Sequence, residues 1–373
     1  MARYELWYCD PLGNRISYIP NASSFSYVMV SGDVGVAQFD SPLRDLGHEA
    51  NVPDRRIHIY RQAYGAAQRL EIVAFLDKFT YAHNQDGLGQ FGGGASDPNV
   101  LLKRRILAYR SGSAQASVDG GSSGNQMLLV ARENLGPDAT DTNREIDGFG
   151  FSVQGYSGLG GAINKQAAWK NVLELMQDIQ AFSKQAGTEL FFAIVPTSET
   201  TMQMRVFSGQ PGADRTLATG KTPVVFSLQR GNLLNPTLTF DYSNEANYIY
   251  AGGKGQEDQR NVQEASDAAS IGRSPFARKE KFISAISGVL DNSDEQVLAR
   301  AKDALEKNRA RVTFAGTIIS TAQTDYGRDW FHGDKVSVDY AGFQFDTIIR
   351  AVSVSVDGDG RETVAARVEL SNE

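Results

Sequence analysis

The C-terminal part of the chain alternates apolar and polar side chains with a period of two, which strongly constrains its fold. Val352, Val354 and Val356 alternate with serines, and every second residue from 364 to 370 is apolar. Successive side chains of a β-strand point to opposite faces, so this pattern predicts two strands with one buried face. Between them, the Asp-Gly-Asp-Gly sequence at 357–360 favours a hairpin, because both residue types tolerate positive φ. The chain is therefore predicted to end in a β-meander.

Short alternating runs also fill the N-terminal part of the chain, separated by turn-forming sequences. Their spacing predicts an antiparallel β-domain over about residues 1–85, arranged as a barrel or a sandwich. The predicted strands cover residues 3–9, 15–19, 24–29, 56–60 and 69–76.

Two segments show the three- and four-residue spacing of an amphipathic helix. The first extends from Ala168 to Phe182. An apolar run at 190–195 then predicts a buried strand and an alternating run at 202–206 predicts a returning strand, so the three elements together indicate a small α+β unit. The second covers about residues 293–308, where a capping-box sequence precedes an apolar stripe. Helices therefore interrupt a chain that is otherwise predicted to be mainly β.

Glycine- and serine-rich sequences predict loops in the middle of the chain. Residues 86–98 and 111–124 have this composition and are predicted to be extra loops, the second of them mobile. Residues 126–132 contain a five-residue apolar run and are predicted to form a strand, whereas the polar residues 253–275 predict a further loop.

Composition excludes several classes of protein. The formal net charge is −7, with 44 acidic and 37 basic residues, which argues against a protein that binds nucleic acid through its phosphates. Cys9 is the single cysteine, so neither an intrachain disulfide nor a thiolate metal cluster can form. No apolar run approaches the roughly 20 residues that cross a bilayer. With no signal-peptide pattern at the N-terminus, the chain is expected in a cytoplasm-like compartment or as cargo of an assembly.

Three glycine-containing sequences begin functional motifs without completing them. The glycines at 87–92 have dinucleotide-fingerprint spacing, but no helix start follows, so a flexible loop is predicted. A P-loop ending at 220–222 needs a glycine where Arg215 stands. The nucleophile-elbow sequence at 155–159 ends in Leu159 instead of glycine and is predicted to be a turn.

The residues that could bind a metal ion or a saccharide show no functional arrangement in the sequence. A calcium loop starting at Asp357 would need oxygen ligands at Arg361 and Val368, which cannot supply them. No pair of carboxylates stands out, although such pairs are set in space. No catalytic, cofactor-binding or metal-binding residue is predicted, and the residues weighed are placed on strand faces, on the surface or in the core: His48, His58, His83, His332, Trp7, Trp169 and Trp330.

Several short motifs occur in a fixed order along the chain. They are the turn at 32–35, the Asp-Arg-Arg-Ile-His-Ile-Tyr strand at 54–60, the sequences at 225–227, 231–233, 241–243 and 247–253, and the Gly-Asp-Lys-Val-Ser-Val strand at 333–338. Their order resembles that of the siphophage tail and baseplate hub proteins, the siphovirus Gp37-like tail proteins. The resemblance spans most of the chain and departs from the family in the Gly/Ser-rich inserts.

This resemblance implies a structural protein of the virion, assembled in the host cytoplasm. Its fold would be mainly β, with two tail-tube-like antiparallel barrels and small helix-containing domains. The C-terminal meander would be the second barrel or the closing strands of the first. The implied domains are a tube-like barrel at 1–92, an insertion at 93–165, an α+β domain at 166–290 that holds part of a second barrel, and a helix with the C-terminal barrel at 291–373.

The implied function is that of a baseplate hub, which is not an enzyme and needs no cofactor. Three copies would form a ring that caps the tail tube, and DNA would pass through its lumen without specific binding. Its partners would be the distal tail protein, the tail tube or tape measure protein, and the fibre or puncturing proteins. The alternatives are another tail-tip adaptor, or a host-surface protein that binds or cleaves carbohydrate. The last would need an aromatic-lined concave site with paired carboxylates.

Overall fold

A computed structural model describes residues 2–19, 22, 24–42, 52–83, 87, 89–108, 116–139, 141–167, 169–219, 222–286, 293–321 and 323–369. Within these ranges the strands are β1 Arg3–Cys9, β2 Arg15–Tyr18, β3 Ser24–Val30, β4 Val36–Pro42, β5 Arg56–Gln62, β6 Arg69–His83, β7 Gly89–Ser96, β8 Ala116–Ser122, β9 Phe151–Val153, β10 Ala162–Ala167, β11 Leu190–Pro196, β12 Met202–Ser208, β13 Asp214–Arg215, β14 Val225–Ser227, β15 Leu233–Asp241, β16 Tyr248–Gly252, β17 Val262–Ser266, β18 Glu280–Ser284, β19 Arg311–Ile318, β20 Lys335–Tyr340, β21 Phe343–Val356 and β22 Glu362–Glu369. The α-helices are α1 Val100–Lys103, α2 Ser123–Asn134, α3 Val172–Gln185, α4 Ala268–Ile271 and α5 Asp294–Lys307.

The fold is mainly β, as the sequence predicted, and the chain divides into two compact units. The first unit contains residues 1–236 and 315–369, and the second contains residues 237–314. The chain enters the second unit through β15 and leaves it through β19, and these two strands pair with each other.

One sheet of twelve strands dominates the first unit and contains strands from both ends of the chain. Its main path is β13-β20-β21-β3-β4-β7-β6-β5-β1-β2, with β14 paired to β20 and β22 paired to β21. The long strand β21 joins the two ends, because residues 351–356 pair antiparallel with residues 25–30 of β3. The predicted C-terminal meander is confirmed, and its strands extend the N-terminal sheet.

The large sheet curls, so that side chains from strands far apart in the pairing order meet in its core. The rings of Tyr4 and Phe25 lie 4.8 Å apart, and those of Tyr8 and Phe39 lie 5.9 Å apart. Among the described strands the path nevertheless stays open, since β1 and β22 share no backbone ladder. The two predicted barrels are therefore not confirmed as closed structures.

The glycine-rich sequence after residue 86 is a strand, so the predicted flexible loop is wrong for residues 89–96. Strand β7 lies between β4 and β6 and pairs with both. The ring of Phe39 covers Gly93, where an added Cβ would come within 2.3 Å of a ring carbon. The glycine at this position therefore makes room for an aromatic side chain of the neighbouring strand.

Part of the first unit is an α+β structure that matches the predicted one closely. Helix α3 begins after Asn171, whose Oδ1 accepts a hydrogen bond from Leu173 N at 3.0 Å, and Gly187 beyond its C-terminus has φ +88°. Strands β11 and β12 follow it as predicted and pair antiparallel, with β9 parallel to β12. Side chains of α2, α3 and these strands share one hydrophobic core.

Two other predictions for this region are wrong. Residues 126–132, predicted as a strand, lie within α2, and the preceding Ser122 caps that helix through a bond from Asn125 N. The loop predicted at 111–124 contains strand β8 and the first residues of α2, while residues 111–115 lie outside the described residues. The sequence Met-Leu-Leu-Val-Ala is apolar throughout, and so short a run fits a buried helix as well as a strand.

The second unit has a small three-stranded sheet, β17-β16-β18, with helix α5 packed on it. The predicted apolar stripe of this helix is buried against the sheet through Val297, Ala301, Ala304 and Leu305. Lys307 Nζ lies 2.8 Å from the Asp303 carboxylate and forms an i,i+4 ion pair within this helix. The loop predicted at 253–275 is partly wrong, because it contains β17 and α4.

Candidate functional site

The incomplete nucleotide-binding sequences form no phosphate cradle in the part of the chain that the structure describes. Gly89 and Gly92 lie within strand β7, and Gly87 precedes it with φ +77°. A helix N-terminus, which would hold a pyrophosphate, does not follow β7 at the fingerprint position. Residues 220 and 221 of the P-loop-like sequence lie outside the described residues.

Of the two sequences predicted to be turns, the one at 357–360 forms the hairpin turn, whereas residues 155–159 form an irregular segment. Near the nucleophile-elbow sequence, Asn125 Oδ1 accepts hydrogen bonds from Ser157 N and Gly158 N, both at 2.9 Å. At 357–360, Gly360 has φ +76° and the Asp357 carboxylate accepts a bond from Arg361 N at 2.9 Å. The carboxylate of Asp357 thus holds the β21–β22 hairpin through its own backbone.

Three of the four histidines lie within the described residues and occupy different environments. His83 ends β6 and is exposed, His58 in β5 is buried, and His332 before β20 is partly buried. His332 Nε2 lies 3.1 Å from both Ser31 Oγ and Arg350 O, and burial lowers its pKa. His48 lies outside the described residues. No group of three or more His, Cys, Asp or Glu residues in the described ranges could hold a metal ion.

The fully buried His58 gives the protein a testable pH dependence. Among the described residues neither of its ring nitrogens has a hydrogen-bond partner, and burial, with a smaller contribution from Arg56, lowers the pKa of His58 to about 4. The unfolded chain takes up this proton near pH 6.5, so the folded state loses stability as the pH falls from about 6.5 to 4.

We expect His58→Phe to remove this component of the acid sensitivity. Between pH 7 and pH 4.5, wild type should lose about 2 kcal/mol more free energy of unfolding than the variant. Urea unfolding at a series of pH values measures the difference. Exposed His83→Phe is the matched control and should leave the wild-type pH profile unchanged. Parallel profiles for wild type and His58→Phe would contradict the assignment.

The three tryptophans do not form an aromatic-lined site. Trp330 is fully buried, as predicted, and its ring packs at 5.5 Å from that of Phe226. Trp7 is partly buried and lies under the guanidinium of Arg15 at 4.7 Å. The core placement predicted for Trp169 is wrong: this residue precedes α3 in a left-handed conformation, φ +54°, and its side chain is 56% exposed.

A buried ionic network joins β1 and β5 to β22, which come close without a backbone ladder among the described residues. Arg61 on β5 is 1% exposed, and its Nε lies 2.9 Å from Glu362 Oε1 on β22. Tyr4 on β1 donates its hydroxyl to the same carboxylate. Burial alone would lower the pKa of Arg61, but its hydrogen bond to Glu362 and the nearby Tyr4 outweigh this effect and raise it. Side-chain interactions therefore connect β1 and β5 to β22, although no backbone ladder joins these strands in the described part of the chain.

The same arginine also holds the segment before β20. Arg61 Nη1 donates to Tyr326 O at 2.6 Å, and its guanidinium lies 4.7 Å from the centre of the Tyr326 ring. Tyr326 in turn donates its hydroxyl to Glu71, whose carboxylate also pairs with Arg69 at 2.5 Å. This network was not predicted, although Arg61 directly follows the Asp-Arg-Arg-Ile-His-Ile-Tyr motif, which is a signal that could have found it.

The first unit also has an apolar groove of about 520 Å³ with arginines along it. Arg56 at the start of β5 and Arg104 after α1 both lie over the ring of Phe75, at 5.3 and 6.0 Å. Leu12 and Phe149 are exposed at the groove, 45% and 61% respectively. Within the described residues, no helix has the length and apolar character needed to cross a membrane.

Solved tail proteins share this fold along nearly their whole length. The fold is similar to a tail protein from Neisseria meningitidis MC58, with 11% identity, 99% of this chain and 97% of that chain covered, and a TM-score of 0.58. It is also similar to the 43 kDa tail protein of prophage MuSo2 from Shewanella oneidensis, with 15% identity, 98% and 97% coverage and a TM-score of 0.59.

A third similar structure is an Escherichia coli component of the type VI secretion system, described as structurally similar to the T4 bacteriophage tail proteins gp27 and gp5. It shares 11% identity, with 100% of this chain and 75% of that chain covered and a TM-score of 0.50. No curated protein sequence matches the chain.

The model of the Siphovirus ReqiPepy6 Gp37-like protein family matches residues 3–368, and the chain belongs to this family. The predicted resemblance is thereby confirmed over almost the whole sequence. The chain is a bacteriophage tail structural protein, associated with the virion.

Proposed function

We propose that this tail protein is the hub of the baseplate, where three copies form a ring that caps the tail tube. The observation that carries the proposal is the family match over residues 3–368, joined to a fold shared along nearly the full length of two tail proteins. In this position the ring connects the distal tail protein and the tube or tape measure protein to the fibre or puncturing proteins. The proposed role is mechanical, without catalysis or a cofactor.

The curled sheet is a suitable wall for such a ring. Strands β5 and β22 of this sheet are linked by the ion pair of Arg61 and Glu362, which stiffens the sheet of the first unit although its described strands form no closed ladder. Each chain contributes two tube-like domains in this arrangement, so a ring of three chains presents six such domains to the sixfold-symmetric tube. The formal charge of −7 favours free passage of DNA through the lumen.

Strand β2 is the proposed contact between neighbouring copies. It pairs only with β1 among the described strands, and all four of its residues are exposed. Ile16 and Tyr18 are 51% and 42% exposed, which is unusual for apolar side chains at a free sheet edge. An exposed edge with apolar side chains favours pairing with another chain, and a ring of copies protects it from unwanted partners.

We expect the purified protein to form a trimer through this edge. Light scattering should give three times the 40.6 kDa mass of one chain, and Ile16→Asp should shift the population to monomer because the charge would be buried at the contact. Tyr64→Asp is the matched control, since Tyr64 is 76% exposed and lies outside β2.

The position in the particle is tested separately by electron microscopy of tails that carry an epitope on this protein. Label at the tail tip and three copies in the density support the hub. Label along the tube, or a copy number other than three, would show that the chain is a different tail component, such as a neighbouring adaptor.

A further inference from the structure

The apolar groove of the first unit has no role in the proposed ring. It lies between the start of β5, the residues after α1, and β9 with the turn that precedes it. The side chains that form its apolar walls are Leu12, Phe75, Leu101, Leu135, Phe149 and Met202. Phe75, Leu135 and Met202 belong to the buried interior, whereas Leu12 and Phe149 remain exposed, so the groove connects the core with the surface.

Three arginines also line this groove, against one carboxylate. Arg104 Nη1 pairs with Asp54 at 2.5 Å, which leaves Arg56 and Arg105 without a carboxylate in ion-pair range among the described residues. The groove is therefore positively charged in a chain whose formal net charge is −7. This positive charge is confined to the groove, because the rest of the chain has an excess of acidic residues.

Arg56 is the unusual member of this set because it is 97% removed from solvent. Its exposed fraction is 3%, and Nε is buried without a hydrogen-bond partner in the part of the chain that the structure describes. The hydrogen bond it makes, from Nη1 to Thr200 O, is long at 3.4 Å. Burial also lowers the pKa of Arg56. Burying a guanidinium with so few compensating hydrogen bonds and ion pairs costs folding free energy. The position of Arg56 therefore indicates a function other than stability.

We infer that this groove binds a peptide segment of a partner protein that presents an aspartate or glutamate between apolar side chains. The carboxylate pairs with the guanidinium of Arg56, and the neighbouring apolar side chains lie against Phe75, Leu12 and Phe149. Arginine is well suited to this task, because its planar fork matches a carboxylate with two parallel hydrogen bonds. The mixed lining favours such a segment over nucleic acid, whose binding sites combine many basic residues with few aliphatic ones.

The inference is tested with the full chain and an mRNA-displayed library of random heptapeptides. We expect enrichment of peptides with an acidic residue next to a leucine or an aromatic residue. A selected peptide is then synthesised with a fluorescent label, and its affinity is measured by anisotropy. Replacing its acidic residue by the amide should weaken binding at least about tenfold, the usual loss when a charge-assisted bond is removed.

The variants separate the groove from a general effect of charge. Arg56→Met should weaken the binding of the acidic peptide at least about tenfold. It should not lower the unfolding midpoint of the protein, because it removes an uncompensated buried charge. Phe149→Ser changes an exposed residue and should weaken the binding of the acidic peptide and of its amide version by the same factor. Arg361→Met, in the exposed hairpin at 73% side-chain exposure, removes the same charge elsewhere and should leave affinity unchanged.

Three results would overturn the inference. They are a selection that enriches no peptide, a selection that enriches peptides without acidic residues, and equal affinity of the acidic peptide for wild type and both groove variants. None of these results bears on trimer formation or on label at the tail tip, so the groove and the hub proposal fail independently.

Discussion

Replacing Arg61 with methionine is expected to lower the free energy of unfolding by about 3–5 kcal/mol, the usual loss when one partner of a buried ion pair is removed. Glu362 would keep its charge at 13% side-chain exposure, and among the described residues the Tyr4 hydroxyl would be its remaining side-chain partner. Tyr326 O would lose its donor as well. The variant should therefore unfold at a much lower urea concentration, followed by circular dichroism and tryptophan fluorescence.

A double variant distinguishes the ion pair from simple loss of packing. Arg61→Met with Glu362→Met removes both charges, and we expect it to recover more than half of the stability lost by Arg61→Met alone, because two apolar side chains can replace a buried pair. The exposed pair of Arg361 and Asp359, 3.8 Å apart, provides the control, where Arg361→Met should cost less than about 1 kcal/mol. Equal losses for Arg61→Met and Arg361→Met would contradict the proposed role of the ion pair.

Local patterns in the sequence predicted the parts of the fold that depend on local physics. Strands β1, β2, β3 and β5 have period-two alternation, helix α3 has a 3.6-residue stripe, and the Asp-Gly hairpin has turn residues that favour positive φ. In each case the side-chain pattern and the backbone preference indicate the same element. Agreement between these two levels is what makes such segments predictable.

The errors occurred where one of these signals was missing or misleading. The glycines of β7 have poor strand propensity, and the partner that favours them, the Phe39 ring, lies on another strand. The apolar run in α2 has no polar positions to reveal its period. Trp169 fits the helical spacing of α3 but lies before the helix begins, in a left-handed conformation that spacing alone cannot detect.

The candidate functional features were the least predictable part of the molecule. Arg61 and Glu362 are 301 positions apart, and no property of either residue specifies the other. The groove likewise combines Leu12, Arg56, Phe149 and Met202, which are spread over 190 positions. Sequence order could identify the family, whereas these contacts require the curled sheet and the α+β structure to be in place.

Replacing Gly93 with valine is expected to destabilise the first unit by about 3 kcal/mol or more, at the upper end of the cost of overpacking a core. An added Cβ would lie 2.3 and 2.4 Å from two carbons of the Phe39 ring. This ring cannot move away cheaply, because it is 3% exposed and packs against the rings of Tyr8 and Phe91. The side chain must therefore displace either the ring or strand β7 itself.

The neighbouring glycine provides the matched control for this steric effect. At Gly94 an added Cβ would meet Lys78 Cβ at 3.5 Å, which is ordinary van der Waals contact, so Gly94→Ala should be neutral or stabilise by up to about 1 kcal/mol. Adding Phe39→Ala to Gly93→Val should restore part of the lost stability, since the clash disappears with the ring. If Gly93→Val and Gly94→Ala unfold at the same urea concentration, the Phe39 ring is not the reason that position 93 requires glycine. Strand β7 would then tolerate side chains on both faces.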